Sequence, residues 1–123
     1  MPTESTFRHV LVVDDDRRLA DALAVVLNQH GFATSAVYSG AEAIQSAIKT
    51  PPDFIVMDVF MNDIDGVDSA IAISETLPHC RILLMSGSED ARRRMEKGLR
   101  RGHSFELLTK PVLADSLLDK LRG

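Results

Sequence analysis

Short apolar runs alternate with helix-like patterns five times along the chain, and this alternation limits the folds open to it. Three of the runs are uninterrupted, at residues 10–13, 54–57 and 82–85. Strands buried on both faces of a parallel sheet have this character, whereas half-exposed strands alternate apolar and polar residues. The runs at residues 33–38 and 104–109 contain polar residues, which suits strands at the two edges of a sheet.

The segments between the runs have the spacing and the end signals of helices. Apolar residues recur at helical intervals from Leu19 to Leu27, and Leu113, Leu117 and Leu121 mark a last helix. The predicted helix starts are the residues Asp16, Ser39 with Glu42 as a capping box, and Ser88 followed by Glu89 and Asp90. The predicted helix ends lie at Gly31, Pro51, Pro78 and Gly102.

Five strand–helix units predict a doubly wound α/β domain with right-handed crossovers. Because the first, third and fourth strands are the most apolar, we expect the flavodoxin-like strand order 2-1-3-4-5. The 123 residues suffice for one such domain. We therefore expect residues 1–123 to form a single domain with no output domain, and residues 1–7 to be a flexible N-terminus.

Composition excludes several other classes of protein. A single cysteine, Cys80, rules out an internal disulfide and a multi-cysteine metal site. No apolar run reaches the roughly 18–20 residues of a membrane span, and the first residues lack the features of a signal peptide. We therefore expect a cytoplasmic protein without membrane contact. The net charge of −4 argues against DNA binding by this chain alone.

Polar residues follow four of the five predicted strands. In doubly wound sheets the working site lies beyond the carboxyl ends of the strands, near the point where the strand order reverses. These ends carry Asp14, Asp15 and Asp16 on the first strand, Asp58 on the third, Ser86 on the fourth and Lys110 on the fifth. Asp16 alone is interpreted as a helix cap. The other residues are expected to meet along the edge of the sheet that the carboxyl ends of the strands form.

This set of side chains favours phosphoryl chemistry with a divalent cation. Converging carboxylates without Cys or His ligands favour Mg²⁺, with Mn²⁺ as a second possibility. The Lys110 ammonium and the Ser86 hydroxyl suit the oxygens of a phosphoryl group. A carboxylate beside a cation and a lysine can attack phosphorus and form an acyl phosphate, and Asp58 is the best candidate for that nucleophile.

With these residues in place, the chain resembles the receiver domain of two-component response regulators. The segments that carry the resemblance are VLVVDDD at 10–16, DFIVMDVFMNDIDG at 53–66, ILLMSGS at 82–88 and LLTKPV at 107–112. Each segment alone is a weak signal, but the combination is specific and covers nearly the whole chain.

The resemblance assigns a role to each site residue. It implies that Asp58 accepts a phosphoryl group from a sensor histidine kinase or a phosphotransfer protein. It implies Asp15 as the direct Mg²⁺ ligand, Asp14 as a ligand partly through water, and the Phe60 carbonyl as a backbone ligand. Ser86 and Lys110 would hold the phosphoryl group, and the Lys110–Pro111 bond would be cis.

The resemblance also implies a switch. Such a chain catalyses its own phosphorylation and dephosphorylation without turning over an external substrate, and it signals through the surface of its fourth helix, fifth strand and fifth helix. A downstream output domain or protein would read that surface, and a homodimer is compatible with it.

Three residues depart from the family pattern or modify it. Asn62 stands where the family usually has Pro, which predicts a less rigid loop. Leu107 stands where Tyr or Phe usually relays the signal, so a different readout is expected. Phe60 is bulky and apolar at a position able to influence water access to the acyl phosphate, which predicts slow self-dephosphorylation.

Two alternatives remain at this point. The chain could be a receiver-like binding module that no longer cycles phosphate, as the changes at Asn62 and Leu107 would allow.

The six bases between Arg92 and Arg101 could bind an acidic partner. They could equally form a solvated helix face, because Glu89, Asp90 and Glu96 lie at pairing distance along the same helix.

Overall fold

A computed structural model describes residues 8–122, and it contains the predicted parallel sheet. Its five strands lie in the order β2-β1-β3-β4-β5, and all neighbouring strands are parallel. Along the chain the elements are β1 His9–Val13, α1 Arg17–Gln29, β2 Ala33–Val37, α2 Gly40–Lys49, β3 Phe54–Asp58, α3 Gly66–Thr76, β4 Arg81–Ser86, α4 Ala91–Arg100, β5 Glu106–Thr109 and α5 Ala114–Arg122. The prediction that residues 1–7 form a flexible N-terminus concerns residues outside the described part of the chain.

The three central strands are buried on both faces, as their uninterrupted apolar runs predict. Successive side chains of β1 point to opposite faces, so that Leu11 joins one core cluster and Val12 the other. The first cluster packs under α2 and α3, and the second packs under α1 and α5. No helix in the described residues is long and apolar enough to cross a bilayer.

The helix-end signals of the sequence are mostly confirmed. The Asp16 carboxylate accepts hydrogen bonds from Arg18 and Leu19 at the start of α1, and Ser39 caps α2 by accepting from Glu42. Gly31 and Gly102 follow α1 and α4 with φ of 93° and 86°. These left-handed conformations cost glycine little and most other residues much more.

One helix start and one residue of a predicted helical stripe were predicted wrongly. The fourth helix begins at Ala91 and not at Ser88, because Ser88 instead forms a tight turn in which its Oγ accepts from the Asp90 N–H. The fifth helix begins at Ala114, and Leu113 lies before it with 65% of its surface exposed. Leu113 therefore does not belong to the buried stripe that Leu117 and Leu121 form.

Arg94, one of the bases expected to pair with an acid of its own helix, instead pairs with Asp65. Helix α3 lies beside α4, and acids at its N-cap and along it pair with three bases in and just after α4. The pairs across the two helices are Arg94 with Asp65, Lys97 with Asp68 at 3.0 Å and Arg101 with Glu75 at 3.3 Å. Packing between helices, which the sequence pattern does not encode, decided this pairing.

Candidate functional site

The carboxyl ends of the strands bring the predicted site residues to one edge of the sheet. Asp58 ends β3 and Ser86 ends the neighbouring β4, while Asp14 directly follows β1 on the other side of β3. Lys110 follows β5, and its side chain reaches across β4 to both carboxylates. Parallel strands end at a common edge, which is why residues nearly one hundred positions apart meet here.

Three carboxylates converge at this edge. Asp14, Asp15 and Asp58 each offer one oxygen, and these oxygens all lie within 4.8 Å of one another. Asp14 is almost fully buried and Asp58 is buried, whereas Asp15 is partly exposed. Negative charges this close repel, so the arrangement favours a proton or a cation among them.

Lys110 supplies positive charge to the two buried carboxylates. Its Nζ donates to Oδ2 of Asp14 at 3.0 Å and to Oδ2 of Asp58 at 3.2 Å. Burial raises the pKa of Asp58, the charge of Asp14 acts in the same direction, and Lys110 opposes both. Burial lowers the pKa of Lys110, but its hydrogen bonds and charge interactions with the two carboxylates outweigh this and raise it overall. The lysine is therefore charged at neutral pH.

Ser86 lies at the same edge and is buried. Its Oγ accepts a hydrogen bond from the Ser88 N–H at 2.9 Å, and its carbonyl accepts one from the Lys110 N–H at 2.9 Å. The chain then turns at a cis Lys110–Pro111 bond, as the resemblance implied. Backbone pairing between β4 and the end of β5 thus sets the position of Ser86 relative to Lys110.

Phe60 lies two residues past Asp58, and its backbone is tied to that side chain. The Phe60 N–H donates to Oδ1 of Asp58 at 3.3 Å. The Phe60 ring is partly buried against the core, and the guanidinium carbon of Arg94 lies 5.3 Å from its centroid. That Arg94 covers this ring was not evident from the sequence, because it depends on how α4 packs.

The loop between β3 and α3 is held by two further contacts that the sequence analysis missed. The Asn62 N–H donates to Oδ2 of Asp15 at 3.2 Å. The Asp63 carboxylate accepts from the N–H groups of Ala41 and Gly40 at the start of α2, and these bonds lower its pKa. The loop that Asn62 was expected to loosen is thus fastened to two other elements.

Cys80 lies away from this edge, at the start of β4. It is half-buried, and burial raises the pKa of its thiol to about 11, so the thiol stays protonated at neutral pH. This agrees with a packing role and not with a reactive one.

Comparison with known proteins identifies the family and agrees with the fold. The sequence model of the response regulator receiver domain matches residues 10–122. The transcriptional regulatory protein PrrA of Mycobacterium leprae is 32% identical, and the match covers 100% of this chain and 52% of that protein. The response regulator MprA of Mycobacterium ulcerans is 30% identical over 93% of this chain and 48% of its own length.

A solved structure extends the comparison to three dimensions. The chemotaxis response regulator CheY4 of Vibrio cholerae superposes with a TM-score of 0.83 at 25% identity, covering 95% of this chain and 98% of that one. The chain spans about half the length of the curated relatives it matches. From its sequence, its strand order and the residues at the sheet edge, this chain belongs to the response regulator receiver domain family.

Proposed function

We propose that this chain is a phosphoacceptor switch in which Asp58 takes a phosphoryl group from the phosphohistidine of a sensor histidine kinase or phosphotransfer protein. The observation that carries the proposal is the placement of Lys110 between the buried carboxylates of Asp14 and Asp58. A lysine so placed holds positive charge where the equatorial oxygens of a phosphoryl group would lie.

The reaction is a transfer between two nucleophiles. A carboxylate oxygen of Asp58 forms a bond to phosphorus, the P–N bond to the donor imidazole breaks, and the imidazole leaves with the electron pair. Lys110 and Ser86 bind the oxygens of the transferred group, because both lie at the same edge as Asp58 and can donate hydrogen bonds. The chain modifies itself and turns over no external substrate.

The donors at this edge fit a divalent cation. The three carboxylates provide hard oxygen ligands within a few ångströms, which suits Mg²⁺ and also Mn²⁺. Asp15 would bind the cation directly, with Asp14, Asp58 and the Phe60 carbonyl completing the protein ligands. When bound, the cation neutralises charge on the carboxylates and on the phosphoryl oxygens.

We assign the output to the surface formed by α4, β5 and α5. Arg94, Lys97 and Arg101 are engaged with α3, whereas Arg92, Arg93 and Arg100 form no ion pair in the part of the chain that the structure describes. Leu99 lies on this helix with 60% of its surface exposed. An apolar residue among unpaired cations suits an acidic partner with an apolar contact.

The test is phosphorylation by acetyl phosphate, followed by intact-mass spectrometry of wild-type protein and Asp58→Asn. Wild-type protein should take up one phosphoryl group when Mg²⁺ is present and none when it is chelated. Asp58→Asn should take up none, because its amide is not a nucleophile toward phosphorus.

Asp53→Asn is the matched control. Asp53 directly precedes β3, at the end of that strand opposite to Asp58, and its carboxylate accepts a hydrogen bond from the His9 N–H. This variant should therefore be phosphorylated like wild type. Uptake by Asp58→Asn equal to wild type would refute the assignment of the acceptor. No uptake by wild-type protein would favour the binding module that no longer cycles phosphate.

A further inference from the structure

The six carboxylate oxygens at the sheet edge are not equally free to bind a cation. Asp14 has both oxygens engaged, by the N–H of Asp16 and by Nζ of Lys110, each at 3.0 Å. Asp58 likewise has both engaged, by the Phe60 N–H at 3.3 Å and by Lys110 at 3.2 Å. These two side chains already have donors on every oxygen.

Asp15 differs from them. Its Oδ2 accepts from the Asn62 N–H at 3.2 Å, and among residues 8–122 no donor lies on its Oδ1. Asp15 is also the most exposed of the three residues, being partly exposed where Asp14 and Asp58 are buried. It therefore has one oxygen held by the protein and one oxygen without a donor in the part of the chain that the structure describes.

The bond that holds Asp15 exists because residue 62 is not proline. Proline has no backbone N–H and could not donate to a carboxylate. Asn62 lies in the loop that Asp63 fastens to the start of α2, and this fixes the donor relative to Asp15. The contact joins residues 47 positions apart, so it ties the loop after β3 to the loop after β1.

We infer that the backbone N–H of Asn62 is a positioning group for the proposed cation site, holding Oδ2 of Asp15 so that Oδ1 faces the cation. The inference rests on the proposed function. A ligand held in its binding rotamer loses less conformational freedom when the cation arrives, and the affinity rises accordingly. The Asn62 side chain has no part in this, since the donor belongs to the backbone.

This separation between backbone and side chain defines the experiment. Asn62→Ala removes the side chain and keeps the N–H, whereas Asn62→Pro removes both. The dissociation constant for Mg²⁺ is measured by isothermal titration calorimetry on the unphosphorylated full chain. Asn62→Ala should match wild type, and Asn62→Pro should bind Mg²⁺ about fivefold more weakly.

Equal affinities of the two variants, or tighter binding by Asn62→Pro, would overturn the inference, because the bond would then contribute nothing or would compete with the cation. A second measurement needs no variant. Amide hydrogen exchange at Asn62 in wild-type protein should be slow both without and with Mg²⁺. Faster exchange when Mg²⁺ is bound would show that the bond breaks, and would also overturn the inference.

Failure of the proposed function can be distinguished from failure of this inference. If wild-type protein binds Mg²⁺ and Asp15→Asn does not, the cation site stands, and the comparison at position 62 decides the inference alone. If wild-type protein binds no Mg²⁺, the cation-dependent function fails and the inference fails with it.

Discussion

Removal of the Lys110 charge should substantially lower the stability of the phosphate-free protein. Its Nζ lies 3.0 Å from Asp14 and 3.2 Å from Asp58, and these two carboxylate side chains are 2% and 11% exposed. Lys110→Met keeps the length and the apolar stem of the side chain and deletes the charge. Two buried carboxylates then remain close together without a counter-charge.

The size of the effect follows from this geometry. At an effective dielectric constant of about 20, each contact corresponds to about 5 kcal/mol of Coulomb attraction, most of which offsets the cost of burying the charges. Removing one partner of a buried pair costs about 3–5 kcal/mol. Because the lysine side chain stays 26% exposed, we expect the lower end of that range, about 3 kcal/mol.

The assay is urea unfolding at neutral pH without divalent cations, with Lys120→Met as the control. Lys120 also lies 3.0 Å from a carboxylate, that of Glu106, but these side chains are 48% and 39% exposed. The control should therefore lose only about 0.5 kcal/mol. Equal losses for the two variants would refute the argument, because distance alone and not burial would then set the energy.

The pH dependence gives a second check. The pKa of Lys110 is raised in the folded state, so its stabilising contribution is complete below the ordinary lysine pKa and is lost only as the pH rises through the folded value. In Lys110→Met the pKa of Asp58 should rise further. The cost of the substitution should then shrink as the pH falls through that raised pKa, and Mg²⁺ should reduce it at neutral pH. A cost independent of pH would contradict this reasoning.

Three further predictions concern the loop after Asp58. Phe60→Asn should speed loss of phosphate from the phosphorylated protein, followed by intact mass over time, because a smaller polar side chain admits water; equal rates would remove the idea. Asp63→Ala should cost about 1 kcal/mol in urea unfolding, since two N–H groups of α2 lose their acceptor. Those bonds lower the pKa of the Asp63 carboxyl in the folded protein, so the cost of the substitution should vanish as the pH falls through that lowered pKa. A stability difference that stays constant with pH would contradict this prediction. Gly66→Ala should cost about 3 kcal/mol, because its Cβ would lie 2.2 Å from the Asp58 carbonyl oxygen; near-wild-type stability would show that this backbone can yield.

The site illustrates which contacts could be predicted. Four site residues were identified because each stands where an apolar run stops, which marks the end of a strand: Asp14, Asp58, Ser86 and Lys110. Asn62 and Arg94 were not identified as site contacts. The first acts through its backbone N–H, which every residue except proline carries. The second reaches Phe60 from a helix whose packing no periodicity reports.

The sequence by itself determined the fold class, the strand order and the edge of the sheet where the polar residues collect. Burial on both faces leaves an uninterrupted apolar run, and caps leave residues such as Asp16 and Gly102 at fixed positions, so both are local signals. The tertiary structure alone decided which charges pair across α3 and α4, where α4 begins, and which oxygen of Asp15 stays open. Those outcomes depend on distances between segments far apart in the chain, and such distances exist only once the helices have packed on the sheet.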